Sequence, residues 1–193
     1  MLKIKKTKFK GLLLIEGNSH KDNRGYLREI LVEKQIKQKF KFQIVSKSKD
    51  NVLRGLHFQY KKPQAKFISV IKGKIFDVAV DLRKNSKTFG KSFSIILSEK
   101  NCKSAFIPAG FAHGFQTLGK ENIVCYSLTE YRSIGNEHGL FYKDPALKIK
   151  WPKKNPKIVS KLPIPVYLTA LLIPLFNLNG ASPAPLPNLA CLV

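Results

Sequence analysis

The chain has few cysteines and lacks any hydrophobic run long enough to cross a membrane. Its three cysteines, Cys102, Cys125 and Cys191, are widely spaced and form no Cys-x-x-Cys pair. This argues against a zinc ribbon or a disulfide framework and favours a reducing cytoplasm. No apolar run follows the basic N-terminal residues, so we predict no signal peptide. The most apolar stretch, residues 166–176, is too short for a span and contains Pro174, so we expect no membrane partner.

Acidic residues are also scarce. Against 35 Lys and Arg there are 12 Asp and Glu in 193 residues, a formal net charge of +23. Such a charge is compatible with attraction to polyanions or to an anionic small substrate, but a lysine-biased surface explains it more simply. Only residues 3–10 are basic enough to resemble an arm. The sequence has no recognised nucleic-acid motif, so we expect no nucleic-acid partner.

Residues 11–161 have the pattern of a β-rich domain. Short apolar or alternating runs recur between turn sequences, and the chain has 13 Phe and 6 Tyr against 1 Trp. This is typical of a sandwich or barrel. Only residues 32–39 look helical. Residues 68–71 and 75–80, joined by Lys72-Gly73-Lys74, are expected to form a hairpin that crosses the core.

The C-terminal residues 162–193 differ sharply in composition. They contain no Asp, Glu, Lys, Arg or His and more than half of the chain's 11 prolines. We therefore divide the chain into a domain at 1–161 and an uncharged, Pro-rich tail at 162–193. A loosely ordered or aggregation-prone tail, a weak hydrophobic anchor and a shifted reading frame near codon 162 all fit this change, and the sequence does not choose among them.

Two glycine-containing segments each place one histidine in an apolar strand. They read Val-Leu-Arg-Gly-Leu-His-Phe-Gln at 52–59 and Ala-Gly-Phe-Ala-His-Gly-Phe at 109–115. Glycine permits close backbone approach, and we expect the two segments to form opposite walls of one pocket. A satisfied core histidine is the more common role for such a residue, and a base in a dry site is the chemical alternative.

The second segment, Pro-x-Gly-x-x-His-x-Phe at 108–115, resembles the second motif of the cupins, which are double-stranded β-helix jelly rolls. In metal cupins the first motif supplies His-x-His and a glutamate. Here the corresponding residues are His57-Phe58-Gln59, so the second histidine is missing and the metal triad cannot be assembled. We expect no metal, and we interpret His57 as a base.

Many motifs together resemble the dTDP-4-dehydrorhamnose 3,5-epimerase family, in family order over about residues 10–160. They are Asp22-x-Arg24-Gly25-Tyr26, 52–59, Gln64-Ala65-Lys66, 72–83, 86–91, 107–115, Tyr126-x-x-Thr129-x-Tyr131, Glu137-x-Gly139 and 144–152. The resemblance implies an all-β fold, a cupin-like jelly-roll barrel with short helices. It also implies a dTDP-4-keto-6-deoxy sugar substrate in dTDP-rhamnose biosynthesis, no cofactor, and a homodimer with exchanged N-terminal strands.

The resemblance also implies residue roles. Epimerisation at C3 and C5, beside the C4 ketone, needs a base on one ring face and an acid on the other. His57 matches the family's base, Tyr126 its acid, and Lys66 the cation that stabilises the enolate oxygen. Asp77 is implied to orient Lys66. The implied substrate-binding residues are Arg24, Glu29, Arg54, His113, Glu137 and Tyr131.

The chain departs from the family pattern at two places. Where the family has Gln-x-Asn before Ser-x-Ser, this chain has Phe42 and Ile44, so these positions offer no hydrogen bonds to a base or ribose. The family continues to a Ser-x-Lys-Asp whose aspartate orients the histidine base. Here Ser160-Lys161 is followed by Leu162-Pro163. A histidine without its carboxylate is less well oriented, so we predict impaired turnover.

Three alternative functions remain open at this point. The chain is compatible with a relative that epimerises C3 alone or a ketoisomerase on the same substrate class. Loss of the aspartate is also compatible with a catalytically impaired cupin that binds sugar nucleotides. The charge of +23 prompts a third alternative, a polyanion-binding protein.

Overall fold

The computed structural model describes residues 2–158 and 166–168, and almost all of their regular structure is β-strand. The strands are β1 (Lys3–Lys6), β2 (Leu13–Glu16), β3 (His20–Asp22), β4 (Gly25–Leu27), β5 (Phe42–Lys49), β6 (Val52–Gln59), β7 (Lys66–Lys72), β8 (Lys74–Asp81), β9 (Ser92–Ser98), β10 (Lys103–Ile107), β11 (Phe111–Thr117), β12 (Glu121–Leu128), β13 (Glu137–Gly139) and β14 (Lys157–Ile158). One α-helix, α1 (Glu33–Ile36), and two 3-10 turns (Ile134–Asn136 and Pro145–Leu147) complete the described elements. The predicted all-β class with short helices is confirmed.

The strands form two facing sheets and one separate hairpin. The first sheet has the order β1-β2-β10-β7-β12-β5, and the second has the order β13-β6-β11-β8-β9 with β14 beside β6. The neighbours along each main order pair antiparallel, whereas β14 runs parallel to β6. This is the jelly-roll barrel that the sequence predicts. The hairpin of β3 and β4 pairs with neither sheet.

The core fills the space between the two sheets. From the first sheet, Ile68 and Val124 are buried, and they join a cluster that includes Ile75, Ala79 and Phe115 of the second sheet. Full burial of an aliphatic or aromatic side chain contributes roughly 1.5–3 kcal/mol. Alternate residues of each strand point inward, so polar residues at inward positions of these strands face the interior of the barrel.

The hairpin predicted for residues 68–80 is wrong. β7 belongs to the first sheet and β8 to the second, so the turn at Gly73 carries the chain from one sheet to the other. Gly73 has a φ of +83°, and a Cβ there would lie 2.6 Å from Asn122 Oδ1. A strand–turn–strand pattern in the sequence does not distinguish pairing within a sheet from a crossing between sheets, because both use the same alternation and a glycine turn.

Residues 166–168 contact the barrel. The Val166 amide donates to Gly139 O at 2.9 Å, and the Phe141 amide donates to Val166 O at 2.9 Å. The buried amide of Leu168 donates to Asp144 Oδ2 at 2.6 Å. The rest of the predicted tail at 162–193 lies outside the described residues, so the division at 161 stays a prediction. Within the described part, no helix has the length and apolarity needed to cross a membrane.

Candidate active site

The two histidine segments are adjacent strands of one sheet, because His57 of β6 and His113 of β11 are cross-strand partners. The prediction that they form opposite walls is therefore wrong. The expected role of glycine holds: Gly55 has a φ of +113°, and a Cβ at this position would lie 2.6 Å from His113 O. Only glycine lets the two strands approach this closely, which brings the two imidazoles to neighbouring positions.

The opposite wall comes from the first sheet, which contributes Lys66 of β7 and Tyr126 of β12. The Lys66 ammonium donates to His57 O across the barrel at 3.4 Å. The ring of Tyr126 meets the ring of His113 edge to face, with 6.3 Å between centroids and an interplanar angle of 76°. The two sheets therefore bring His57, His113, Lys66 and Tyr126 close together between them, and the space that these four residues border is called the chamber below.

His113 is held by a buried carboxylate. Its Nε2 lies 2.7 Å from Asp77 Oδ1 of β8, and both side chains are almost fully buried. Asp77 is thus hydrogen-bonded to His113, whereas its effect on Lys66 is through charge, raising the pKa of the lysine. The arrangement fits His113 as a fixed polar group of the chamber wall.

The environment of His57 keeps its imidazole neutral. The pKa of His57 is lowered to about 4, mainly by burial and then by the nearby positive charge of Lys66, while the carboxylate of Glu137 opposes both effects. At neutral pH the ring therefore carries a free lone pair and can accept a proton.

Lys66 and Tyr126 keep their protons at neutral pH. Burial lowers the pKa of Lys66 to about 8, against the opposing charges of Glu137 and Asp77. Burial raises the pKa of Tyr126 above its ordinary value. The chamber thus combines a neutral base, a phenolic acid and a cation, the set that proton transfer beside a carbonyl requires.

Two predicted binding residues border this chamber. Arg54 of β6 donates from Nε to Ser48 Oγ at 2.9 Å. Glu137 of β13 is paired beside β6 and forms an ion pair with Arg132, with 2.7 Å between Oε2 and Nη2. The charge of Glu137 acts on both His57 and Lys66, raising the pKa of each, which is consistent with a position at the chamber.

The three remaining predicted binding residues lie on segments other than β6, β7, β11 and β12. Arg24, with a side chain 85% exposed, pairs with Asp22 in the β3–β4 hairpin at 2.6 Å. Glu29 is exposed and follows that hairpin. The exposed ring of Tyr131 stacks on Phe42, with centroids 5.7 Å apart and an interplanar angle of 19°. Among the described residues, neither Arg24 nor Tyr131 makes a hydrogen bond, ion pair or ring contact with His57, His113, Lys66 or Tyr126.

Sequence reasoning missed the significance of Ser46, whose Oγ lies 3.4 Å from Tyr126 Oη. It also left open where Ile44 lies, which is directly across from Tyr126 in the pairing of β5 and β12. Alternation on β5 puts residues 42, 44, 46 and 48 on one face, but the strand that this face meets is set by long-range pairing. The sequence pattern therefore does not give the register of β5 against β12.

An open cavity of about 740 Å³ lies on the outside of the barrel. Its lining includes Lys47, Lys49, Lys120, Lys157, Asp50 and Glu121. Part of its positive charge is paired, since Lys47 meets Glu121 at 2.9 Å. It contains none of the predicted site residues, and the polyanion alternative stays a prediction.

Comparison with known proteins gives consistent matches. A family model for dTDP-4-dehydrorhamnose 3,5-epimerase matches residues 6–162. The curated dTDP-4-dehydrorhamnose 3,5-epimerase of Methanothermobacter thermautotrophicus is 45% identical over 152 residues, which cover 76% of this chain and 82% of that protein. The enzyme of the same name from Salmonella typhimurium is 38% identical over 169 residues, 83% of this chain and 92% of that protein.

Solved structures agree with these matches. The dTDP-6-deoxy-D-glucose-3,5-epimerase of Legionella pneumophila, crystallised with dTDP-4-keto-L-rhamnose, superposes with a TM-score of 0.83 at 35% identity, covering 88% of this chain and 94% of that chain. The Bacillus anthracis dTDP-4-dehydrorhamnose 3,5-epimerase, with TDP and PPi bound, has a TM-score of 0.80 at 38% identity, covering 85% of this chain and 99% of that chain.

Proposed function

Because the chain belongs to the dTDP-4-dehydrorhamnose 3,5-epimerase family, we propose that it converts dTDP-4-dehydro-6-deoxy-D-glucose to dTDP-4-dehydro-L-rhamnose in dTDP-rhamnose biosynthesis. The observation that carries the proposal is the interior chamber, where the neutral base His57 and the protonated acid Tyr126 come from opposite sheets. Inverting a carbon needs these two groups on opposite faces of the sugar ring.

In the first step His57 removes the hydrogen from C3 or C5. Both hydrogens are acidic because they flank the C4 ketone, and the electrons of the broken C–H bond move into an enolate. The Lys66 ammonium stabilises the enolate oxygen, since a fixed charge in a dry chamber needs no reorganisation as negative charge develops. The substrate's own carbonyl supplies the activation, so the reaction needs no cofactor.

In the second step Tyr126 donates its proton to the same carbon from the other face, which inverts the centre. A positioned acid or base contributes roughly 10²- to 10⁴-fold to the rate. The high pKa of Tyr126 keeps the phenol protonated until a strongly basic carbanion is formed beside it. Repeating the two steps at the second carbon completes the conversion.

Three further residues hold the substrate in this proposal. The guanidinium of Arg54 suits the diphosphate, because its planar fork can donate two parallel hydrogen bonds to phosphate oxygens. His113, fixed by Asp77 at 2.7 Å, presents its ring to the sugar. Glu137 accepts hydrogen bonds from sugar hydroxyls at the chamber entrance.

We propose that the enzyme acts as a homodimer whose β3–β4 hairpin reaches the partner. Leu27 is 75% exposed and Tyr26 is also exposed, and the hairpin pairs with neither sheet of its own barrel. An apolar tip of this kind is stabilised by burial against a second copy. Arg24, Glu29 and Tyr131 would then bind substrate at the interface.

The dimer is tested by light scattering of the Leu27→Asp variant. We expect the wild type to have twice the mass of the chain and the variant to shift towards the monomer, because a carboxylate cannot be buried unpaired. Ile158→Asp changes an exposed apolar residue of β14, on a different segment from the proposed interface residues, and should stay dimeric. A wild-type monomer, or an unaltered Leu27→Asp dimer, would contradict the proposal.

A cytoplasmic location fits the same proposal. In the described residues Cys102 and Cys125 are free thiols, which suits a reducing compartment. Fractionation of cells that express the chain checks this: the activity should be recovered in the cytosolic fraction.

The reaction is tested by incubating the protein with dTDP-4-keto-6-deoxyglucose in deuterated water and following the product by NMR. The proposal predicts deuterium at both C3 and C5, with both centres inverted. Label at C3 alone would identify a 3-epimerase, and a ketone moved to another carbon would identify a ketoisomerase. Tight binding without label would favour the non-catalytic cupin. Salt-sensitive retention on DNA without label would favour the polyanion-binding alternative.

A further inference from the structure

The hydroxyl of Tyr126 has one hydrogen-bond partner among the described residues. That partner is the hydroxyl of Ser46, with 3.4 Å between Tyr126 Oη and Ser46 Oγ. The tyrosine ring lies beside His113 and Phe115, with centroid distances of 6.3 and 6.2 Å. A phenolate in such a buried place is costly, as the raised pKa of the group indicates. Once Tyr126 has given its proton away, it needs a proton source within reach.

Ser46 is suited to supply that proton. It lies on β5, an edge strand of the first sheet, and is half-buried. Its side chain is on the same face of the sheet as Tyr126, because the pairing joins Val45 to Cys125 and Ile44 to Tyr126. A serine hydroxyl has one donor and two acceptor sites. It can therefore donate to the tyrosine oxygen while it accepts a hydrogen bond from water at the barrel edge.

Neighbouring serines have different partners. Ser48 Oγ accepts from Arg54 Nε at 2.9 Å. Ser127, next to the tyrosine on β12, accepts from Gln43 Nε2 at 3.0 Å on the other face of the sheet. The contact with the acid therefore belongs to position 46, and not to a general row of hydroxyls along β5 and β12.

We propose that Ser46 positions the Tyr126 hydroxyl and relays protons to it from solvent, an inference that rests on the proposed epimerisation. When Tyr126 protonates the enolate carbon, its O–H bond breaks and a C–H bond forms. The Ser46 hydroxyl then gives its proton to the phenolate and takes one from water. The proton that His57 removed returns to solvent, so each inverted carbon takes up one solvent proton and releases one.

The test separates exchange from inversion in deuterated water. With His57 alone, deuterium can be incorporated at C3 or C5 with retention of configuration, whereas inversion also needs Tyr126. Ser46→Ala should therefore slow inversion by roughly tenfold, a part of the 10²- to 10⁴-fold that an acid contributes, while exchange continues at the wild-type rate. Continued exchange would itself show that the variant is folded. Ser46→Thr keeps the hydroxyl and should restore inversion.

The matched control is Ser127→Ala, which makes the same chemical change and also breaks a side-chain contact between β5 and β12. It should leave the ratio of inversion to exchange unchanged. Equal losses of exchange and inversion in Ser46→Ala, or no loss of either, would overturn the relay. A wild-type protein that exchanges at neither carbon would instead contradict the proposed function itself.

Discussion

At the scale of single residues, burial sets the protonation states of the groups proposed to transfer protons. His57 is a base at neutral pH because the dry chamber and the charge of Lys66 disfavour imidazolium, lowering its pKa to about 4. The same burial lowers the pKa of Lys66 to about 8, so it remains mostly charged at neutral pH. The family resemblance named these residues, but their protonation follows from depth in the barrel, which the sequence does not show.

The pH profile of kcat/KM should therefore be a broad bell. Activity should fall below about pH 4, the pKa of His57, because imidazolium cannot accept a proton. It should also fall above about pH 8, the pKa of Lys66, because the lysine loses the charge that stabilises the enolate. Steady-state rates from pH 3.5 to 10 check this, since kcat/KM reports the groups of the free enzyme.

Lys66→Met supplies the control for this profile. The variant should lose the alkaline limb, and its acid limb should move to higher pH, because the lysine's charge contributes to the low pKa of His57. Lys72→Met, at the exposed end of the same strand, should keep both limbs. A wild-type acid limb at about pH 6.5, the ordinary value for histidine, would contradict the environment described for His57.

At the scale of strands, β5 is the element that makes this chain unusual. Ile44 is 45% exposed and lies directly across from Tyr126, at a position where the family carries a polar side chain. An apolar side chain offers no hydrogen bond to a base or ribose, so we expect recognition of the nucleotide at this strand to be weak.

Ile44→Asn should lower the KM for the dTDP-sugar. One neutral hydrogen bond contributes about 0.5–1.5 kcal/mol, which corresponds to roughly a two- to tenfold change. Val45→Asn is the matched control, because Val45 is 66% exposed on the opposite face of the same strand. An unchanged KM in Ile44→Asn, or an equal change in Val45→Asn, would show that this face does not contact the nucleotide.

The strands also show which features of the fold a sequence pattern predicts and which it does not. Alternation and turn residues predicted the strands around His57 and Tyr126 and a short helix at 32–39, which the structure has at Glu33–Ile36. They did not predict that β6 and β11 are neighbours, or that β7 and β8 lie in different sheets. Which strands pair depends on contacts between residues that are far apart in the chain, and local periodicity does not predict those contacts. Ser46 was missed for this reason.

At the scale of the whole molecule, the described strands of the barrel extend to residue 158, and the second departure from the family pattern lies beyond it. By the family pattern, we expect the aspartate that orients the histidine base at position 163, where this chain has proline and which is outside the described residues. In the described part, Glu137 and Asp77 are the carboxylates whose charge acts on the chamber. Asp77 is already bonded to His113, so His57 is without a hydrogen-bonded carboxylate there.

Pro163→Asp should therefore raise kcat, by about tenfold or more, because a carboxylate on the second ring nitrogen orients a histidine base and stabilises its protonated form. Pro165→Asp makes the same change two residues later and should have no such effect. Single-turnover rates of both variants check this. If Pro163→Asp gives no gain, the loss of the aspartate is not what limits turnover.

The most direct test of the central claim compares His57→Ala with Tyr126→Phe in deuterated water, with exchange and inversion at C3 and C5 followed by NMR. The account predicts that His57→Ala loses both processes, because no base starts the reaction. Tyr126→Phe should keep exchange and lose inversion, because the base still works but the opposite face has no acid. Wild-type exchange in His57→Ala, or wild-type inversion in Tyr126→Phe, would contradict it.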